Sequence, residues 1–397
     1  LGRISGACFT DLQGDGHPGL ALAGEWGPIL LFRNEGGQLV AWDPPVMVRG
    51  TRMPISALAG LWTGITAGDF DGDGRMDLVA GNWGWNNLYT GAMGSADAPR
   101  PIRRLHFGDL EGLGNLDLVE TVPLQGQEWP GREYPVWAMA YPWLRAEIPT
   151  YSAFAERTIL QIFGDRLKTA SRLELTWLAS SLFLNRGDHF EVQPLPDPAQ
   201  LAPAFGLAVA DADGDGAEDV FLAQNWFDAE PMTARNDAGR GLWLRGDGRG
   251  GFAAEQRAGA VSYGEQRAAA VADYDADGRP DLVVTQNGAA TGLYRNVGGR
   301  PGLRVRLRGS PANPTAIGAV LRVLRGERPG PARELHLGAG YWSVDSPVAV
   351  LARPDGPLVL EVRWPGGKRT RSAVASGVRE ITVTPEGVAT ESSPGSK

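Results

Sequence analysis

A nine-position acidic loop, D-x-D-x-D-G-x-x-D, recurs in this chain between short apolar segments, and a recurring unit of that kind settles an architecture before any single residue does. Full copies read "DFDGDGRMD" from Asp69, "DADGDGAED" from Asp211 and "DYDADGRPD" from Asp273. Partial copies read "DLQGDGHPG" from Asp11 and "DLEGLGNLD" from Asp109. The segments that follow the full loops, "LVAG", "VFLAQ" and "LVVTQ", are apolar or β-branched and bounded by Gly and Asn. Such runs read as buried strands, so each loop joins two strands.

Four carboxylates this close repel one another, and the spacing says what lies between them. Asp69, Asp71, Asp73 and Asp77 fill positions 1, 3, 5 and 9, with Gly74 at the sharp turn of position 6 and the Arg75 carbonyl at position 7. Asp211, Asp213, Asp215 and Asp219 with Ala217, and Asp273, Asp275, Asp277 and Asp281 with Arg279, repeat the set. Hard oxygen ligands crowded this way suit Ca²⁺, which takes six to eight oxygens in a flexible shell. An EF-hand would place a Glu at position 12 between two helices; here that position holds Ala80, Leu222 and Val284. About three Ca²⁺ sites are therefore expected. The loop of Asp11 and Asp15 has Gln13 and Gly19 in place of two carboxylates, and that of Asp109, Glu111 and Asp117 has Leu113. Those two keep the turn and are expected to bind calcium weakly or not at all.

The full loops and their strands resemble the FG-GAP or VCBS repeats of calcium-binding β-propellers, as in integrin α-chain heads. Further along, "NPTAIGAVLRV" from Asn313, "ELHLGAGYWSVDSP" from Glu334 and "LEVRWPGGK" from Leu360 resemble the ASPIC/UnbV domain that follows such repeats in the cartilage acidic protein family and its bacterial relatives. "VAVLARPDGP" stands where that domain usually carries an F-G-L-G element. The resemblance implies a mainly β fold, an integrin-α-like propeller over 1–300 and a small ASPIC/UnbV-like β domain over 301–384, leaving 385–397 as a flexible tail.

Loop spacing sets the expected number of blades. The first aspartates lie 58, 40, 102 and 62 residues apart, and the long gap reads as two periods with a unit hidden in 172–193. Six or so units, six or seven blades, follow, and a start at Leu1 already inside a repeat leaves room for blades upstream. Such a ring leaves only short, protected edges. A helical insertion is expected at about 130–170, where "YSAFAERTILQIFGDRL" spaces Phe154, Ile159, Ile162 and Phe163 along one face with Ser152 as a cap.

Successive strands of a blade are antiparallel, so the loops after the first and second strands lie on opposite faces. The second loop carries "GEWGP", "GNWGWNN" and "QNWFD". Trp26, Trp83, Trp85 and Trp226 should gather opposite the metals, beside Glu25, Asn82 and Asn225, as a ligand face for a protein or carbohydrate. Packing between blades is the competing use of periodic tryptophans.

Composition narrows the function classes. With one cysteine among 397 residues, Cys8, the chain has no internal disulfide framework. It contains no run of 18 apolar residues, hence no expected membrane span, and no signal peptide is visible at Leu1. Residues 301–397 carry 14 Lys and Arg against 8 Asp and Glu, and residues 1–300 carry 24 against 38. No basic stripe suggests nucleic acid; Arg304, Arg306 and Arg308 alternate along a strand as a solvated face would. The "RGD" at Arg245 sits between a strand and an aromatic and reads as a hairpin turn. His17, His106, His189 and His336 are scattered, and there is neither a nucleophile elbow nor a phosphate loop. The expectation is a non-enzymatic calcium-binding module for binding, adhesion or scaffolding, located extracellularly, at the cell surface or in the periplasm. The alternatives are a calcium-assisted polysaccharide lyase or hydrolase and a lectin-like propeller.

Overall fold

The computed structural model describes residues 2–89, 102–227, 233–255, 259–326 and 328–392. It is mainly β and propeller-like. Four sheets carry an acidic loop between their first two strands and stand side by side through those first strands: Arg3–Thr10, Gly64–Gly68, Ala204–Ala210 and Glu265–Ala272. The sheets are separate, and among the described residues none closes on itself. Gly64–Gly68, Asp77–Gly81 and Ser181–Asn185 are buried at every position. That explains the lack of apolar–polar alternation through 78–80 and 182–184: both faces meet a neighbouring sheet. The cores accordingly lie between sheets. One pairs Ala21, Leu31 and Ile29 with Ile65, Leu78 and Phe183, a second Val79 and Leu184 with Leu207 and Val220, a third Ala208 and Phe221 with Val271 and Leu282.

The 102-residue gap from Asp109 to Asp211 holds no blade of its own but the rest of an inserted sheet and the outer strands of the interrupted Asp69 blade, which corrects the unit count. Ser181–Asn185 pairs antiparallel with Asp77–Gly81, Phe183 opposite Leu78; Phe190–Pro194 follows, and Pro45–Val48, parallel to it, and Thr51–Pro54 complete the sheet. The hidden unit is thus no unit: its first strand, Ser171–Leu175, belongs to the inserted sheet, and the other two join the Asp69 blade. Between its halves stands a separate sheet of Arg103–Gly108, Asp117–Leu124, Gln127–Pro130 and Ser171–Leu175, which holds the Asp109 loop. The helical insertion falls within it as four short helices, Tyr134–Ala140, Leu144–Glu147, Tyr151–Ala155 and Ile159–Phe163. The face expected as one helix is two, because Thr158 starts a new one with a capping box to Gln161; Thr150, not Ser152, caps the first.

The C-terminal residues form two further sheets around a core of Leu303, Leu321, Leu360, Trp364 and Ile381. Gly387–Ser392 pairs with Glu380–Thr384, so the expected tail is a strand as far as Ser392, and 393–397 lie outside the described residues. This domain also reaches into the blades. A segment from Leu335 to Ser346 runs along the inner edge of all four. The Leu337 carbonyl accepts from the Phe9 N–H at 2.9 Å, the Gly340 N–H donates to the Ile65 carbonyl at 2.9 Å, and the Ser346 N–H to the Val271 carbonyl at 3.0 Å. Gly340 has φ +58°, and a Cβ there would stand 2.1 Å from the Leu207 amide nitrogen, so only glycine lets the segment approach so closely.

Candidate metal centres

Each full loop is built by its own carboxylates before any ion is considered. At position 1 the Asp69, Asp211 and Asp273 Oδ2 atoms accept the N–H of the position-6 glycine, from Gly74 at 3.0 Å, Gly216 at 3.0 Å and Gly278 at 2.8 Å. Those glycines have φ +92°, +101° and +86°, the left-handed turn the motif needs. Position 9 ties the loop to the third strand of its blade. Asp77 accepts from the Phe70 and Asn185 N–H groups, Asp219 from Ala212 and Gly246, and Asp281 from Tyr274 and Asn296, all between 2.7 and 3.1 Å.

Positions 1, 3 and 9 converge. In Asp69/Asp71/Asp77, Asp211/Asp213/Asp219 and Asp273/Asp275/Asp281, one oxygen from each member lies within 4.8 Å of the others, and these are the three such triads among the described residues. Asp69 is 1% exposed, yet its Oδ1 has no hydrogen-bond partner. Burial pushes the Asp69 carboxyl up to about 6. Burial, with repulsion from Asp71 and Asp69, pushes Asp77 to about 8. Burial raises Asp211 and Asp219 to about 7, with repulsion from Asp213 contributing to both, and raises Asp281. A buried, orphaned carboxylate oxygen facing two more carboxylates fits a hard divalent cation, which would neutralise the charge and supply the missing partner.

Position 5 stays outside the triads. Asp73 pairs with Arg75 at 3.3 Å, Asp215 with Arg245 at 3.0 Å, and Asp277 with Arg279 at 2.7 Å. Their other task is to accept the position-7 N–H of Arg75, Ala217 and Arg279 at 2.8 to 3.0 Å, which shapes the turn. In each blade an arginine at the end of the third strand pairs with position 3: Arg186 with Asp71, Arg245, which also holds Asp215, with Asp213 at 2.8 Å, and Arg295 with Asp275 at 2.6 Å. Sequence reading missed these, although "NRGD", "LRGD" and "YRN" stand at matching places. The RGD tripeptide is the hairpin turn expected: Asp247 accepts the Arg249 and Gly251 N–H groups while Arg245 holds the loop.

The partial loops differ. Asp11 is buried; its oxygens accept from the Asp15 and Gly16 N–H groups, and Arg363 of the C-terminal domain meets Oδ2 at 2.7 Å. Asp15 is exposed and accepts from the His17 N–H. In the inserted sheet Asp109 is exposed and caps Leu113 and Gly114, while Asp117 accepts from Leu110 and Glu111. Neither loop forms a triad.

The C-terminal domain is docked on this loop face. Besides Arg363, the Ala332 N–H donates to Asp69 Oδ2 at 2.7 Å and Arg322 lies 3.9 Å from it. Arg304 bonds Asp273 and Glu380, so it is a buried loop contact rather than the solvated residue its alternation suggested; Arg306 is exposed, as expected. Arg333 pairs with Glu218 at 2.7 Å, and Glu334 accepts from the Thr10 hydroxyl at 2.5 Å and the Asp11 N–H at 3.0 Å.

On the opposite ends of the strands the tryptophans meet as expected. Trp83 and Trp226 have ring centroids 6.1 Å apart, and Tyr89 lies 5.7 Å from Trp83 and 6.3 Å from Trp26. Trp85 packs against the core between the first two blades, and Trp26 and Trp83 are half-buried against Leu61, Leu175 and Leu178, the packing use that competed with a ligand face. Asn82 and Asn225 are fully buried and brace backbone: Asn82 accepts from the Leu61 and Trp83 N–H groups, and Asn225 bridges Gly239 and Gly264. They leave the ligand face for the core. Glu25 is half-buried and bonded to Ser5 at 2.5 Å, with Arg3 at 3.4 Å.

A row of blades, each with an acidic loop at one end and a β domain clamped across the loops, defines a propeller-like repeat protein. Family profiles make that specific. FG-GAP-like repeats match residues 11–80 and 232–284, and the ASPIC and UnbV family matches residues 309–390. The chain is an FG-GAP-like repeat protein with a C-terminal ASPIC and UnbV domain. No curated protein matches it.

Proposed function

We propose that the protein is a calcium-stabilised binding module that works outside the cytoplasm, with Ca²⁺ holding the loops of three blades and the tryptophan-rich ends of the strands facing the ligand. Asp69 Oδ1, buried and without a partner beside two further carboxylates, carries the calcium reading. The ions' role is structural rather than catalytic: the C-terminal domain covers the loops and its own groups bond Asp69 and Asp273. Millimolar free calcium outside cells fills even weak oxygen sites, which favours an exported location. Among the described residues no helix is long and apolar enough to cross a membrane.

Counting calcium after dialysis against micromolar Ca²⁺ tests the reading. About three ions per chain are expected, falling by one in Asp69→Asn and unchanged in Asp109→Asn. A metal-free wild type would contradict it.

A further inference from the structure

The inner-edge segment of the C-terminal domain ends in a tight turn, Ala339 to Ser343, closed by the Ala339 N–H on the Ser343 carbonyl at 2.9 Å. At its tip Trp342 is 83% exposed, the highest exposure of any large apolar side chain described, and adopts φ +51°. Bulky residues rarely hold that conformation, and strain of this kind is kept where a side chain must be aimed. Its ring lies parallel to Tyr341, at 1° and 5.3 Å between centroids. Tyr341 abuts Phe205 edge-on at 5.5 Å, and Phe205 stacks on Trp226 at 5.9 Å. Trp342 is thereby anchored to the tryptophan cluster through Tyr341 and Phe205. Tyr263, beside the head of the Glu265–Ala272 strand, is a second exposed ring at the same end of the blades, at 70%.

The chemistry around the tip selects among ligands. Among the described residues, Glu265, on the strand that carries Arg267, is already bonded by Arg267 and by Asn287 at 3.1 Å. Cation–π places on Phe205 and Trp226 are taken by Arg267, 4.2 and 4.9 Å from the two centroids. A charged ligand therefore gains little. A protein partner wants a footprint of some 20 to 30 residues, whereas the exposed apolar side chains named at this end are few: Trp342, Val344 beside it and Tyr263. A flat ring with an electron-rich face suits the C–H face of a pyranose, whose hydroxyls remain in water.

We propose that the Tyr341–Trp342 tip is a saccharide platform that takes a neutral pyranose within a polysaccharide chain. This rests on the reading of the protein as a binding module and names its ligand class. The test is affinity electrophoresis of the full calcium-loaded chain through gels cast with mixed-linkage β-glucan, xyloglucan, galactomannan or starch, with polygalacturonate as a charged comparator. Retardation by at least one neutral polysaccharide is expected, weakened at least about tenfold in Trp342→Ala and largely kept in Trp342→Phe, with the melting temperature unchanged because the ring is exposed. No retardation in any neutral gel, retardation by polygalacturonate alone, or undiminished retardation in Trp342→Ala would each overturn the proposal. The calcium reading fails by a different readout, the ion count, so the two failures are distinguishable.

Discussion

The Asp69 and Asp11 loops share a turn and differ in what neutralises it. Both bury the position-1 aspartate and use it to accept the position-6 glycine N–H. Around Asp69 two more carboxylates converge, and its Oδ1 has no partner. Around Asp11 those carboxylates are missing, and the Arg363 guanidinium sits on Oδ2. One loop has the carboxylates to hold an exchangeable cation; the other has a cation attached to the chain. The turn is therefore built the same way with or without the triad, and the proposed metal would answer the surplus of charge that positions 3 and 9 create.

The largest expected effect comes from removing the built-in cation. Arg363→Ala strands a fully buried Asp11 carboxylate beside Glu334 and should cost about 3 to 5 kcal/mol. The loss in midpoint should be equal in EGTA and in calcium, and Asp11→Asn added to it should recover much of the stability. A calcium-dependent loss would mean that Arg363 acts through the acidic triads rather than on Asp11 alone. Next, Asp69→Asn should remove one ion and, at a hundredfold excess of calcium over the dissociation constant, about 2.7 kcal/mol of stabilisation. In EGTA the same change should be near neutral, since it removes a buried charge that is only partly compensated.

The pH dependence sharpens the contrast. Unfolded aspartates titrate near 3.9, whereas in the metal-free fold Asp69 sits at about 6, Asp211 and Asp219 at about 7 and Asp77 at about 8. The folded apo state thus binds more protons than the unfolded chain, so its stability falls as pH rises from about 4 through 8. Urea unfolding in EGTA at pH 5.5 and 8 should show the chelated protein weaker at the higher pH. The gap between chelated and calcium-loaded protein should widen over the same range, because deprotonated carboxylates bind the ion. The smallest effect is expected from Arg245→Gln, whose guanidinium is half-exposed against Asp213 and Asp215 and screened by solvent.

Residues close in sequence were legible; distant partners were not. The loop spacing exposed the triads because positions 1, 3 and 9 lie within one turn, and the alternation of strand ends placed Trp26, Trp83 and Trp226 on one face. Counting positions did not separate Asp73, Asp215 and Asp277 from the triads: Asp73 and Asp277 turn to arginines two residues on and Asp215 to the distant Arg245, a choice of side-chain direction that spacing does not record. The Asp69 blade was hidden because Ser181–Asn185 pairs with Asp77–Gly81 across an insertion of about a hundred residues, and no local pattern records such a pairing. Arg304, Arg322 and Arg363 belong to a domain that shows its own β pattern and carries no mark of the loops it docks against.

The most direct measurement is thermal unfolding of the wild-type chain in excess EGTA and in millimolar Ca²⁺ at pH 7.5. The account predicts a rise of several degrees with calcium, retained in Arg363→Lys and reduced in Asp69→Asn. Identical midpoints in the two buffers would contradict it, leaving the aspartates as builders of the turn alone.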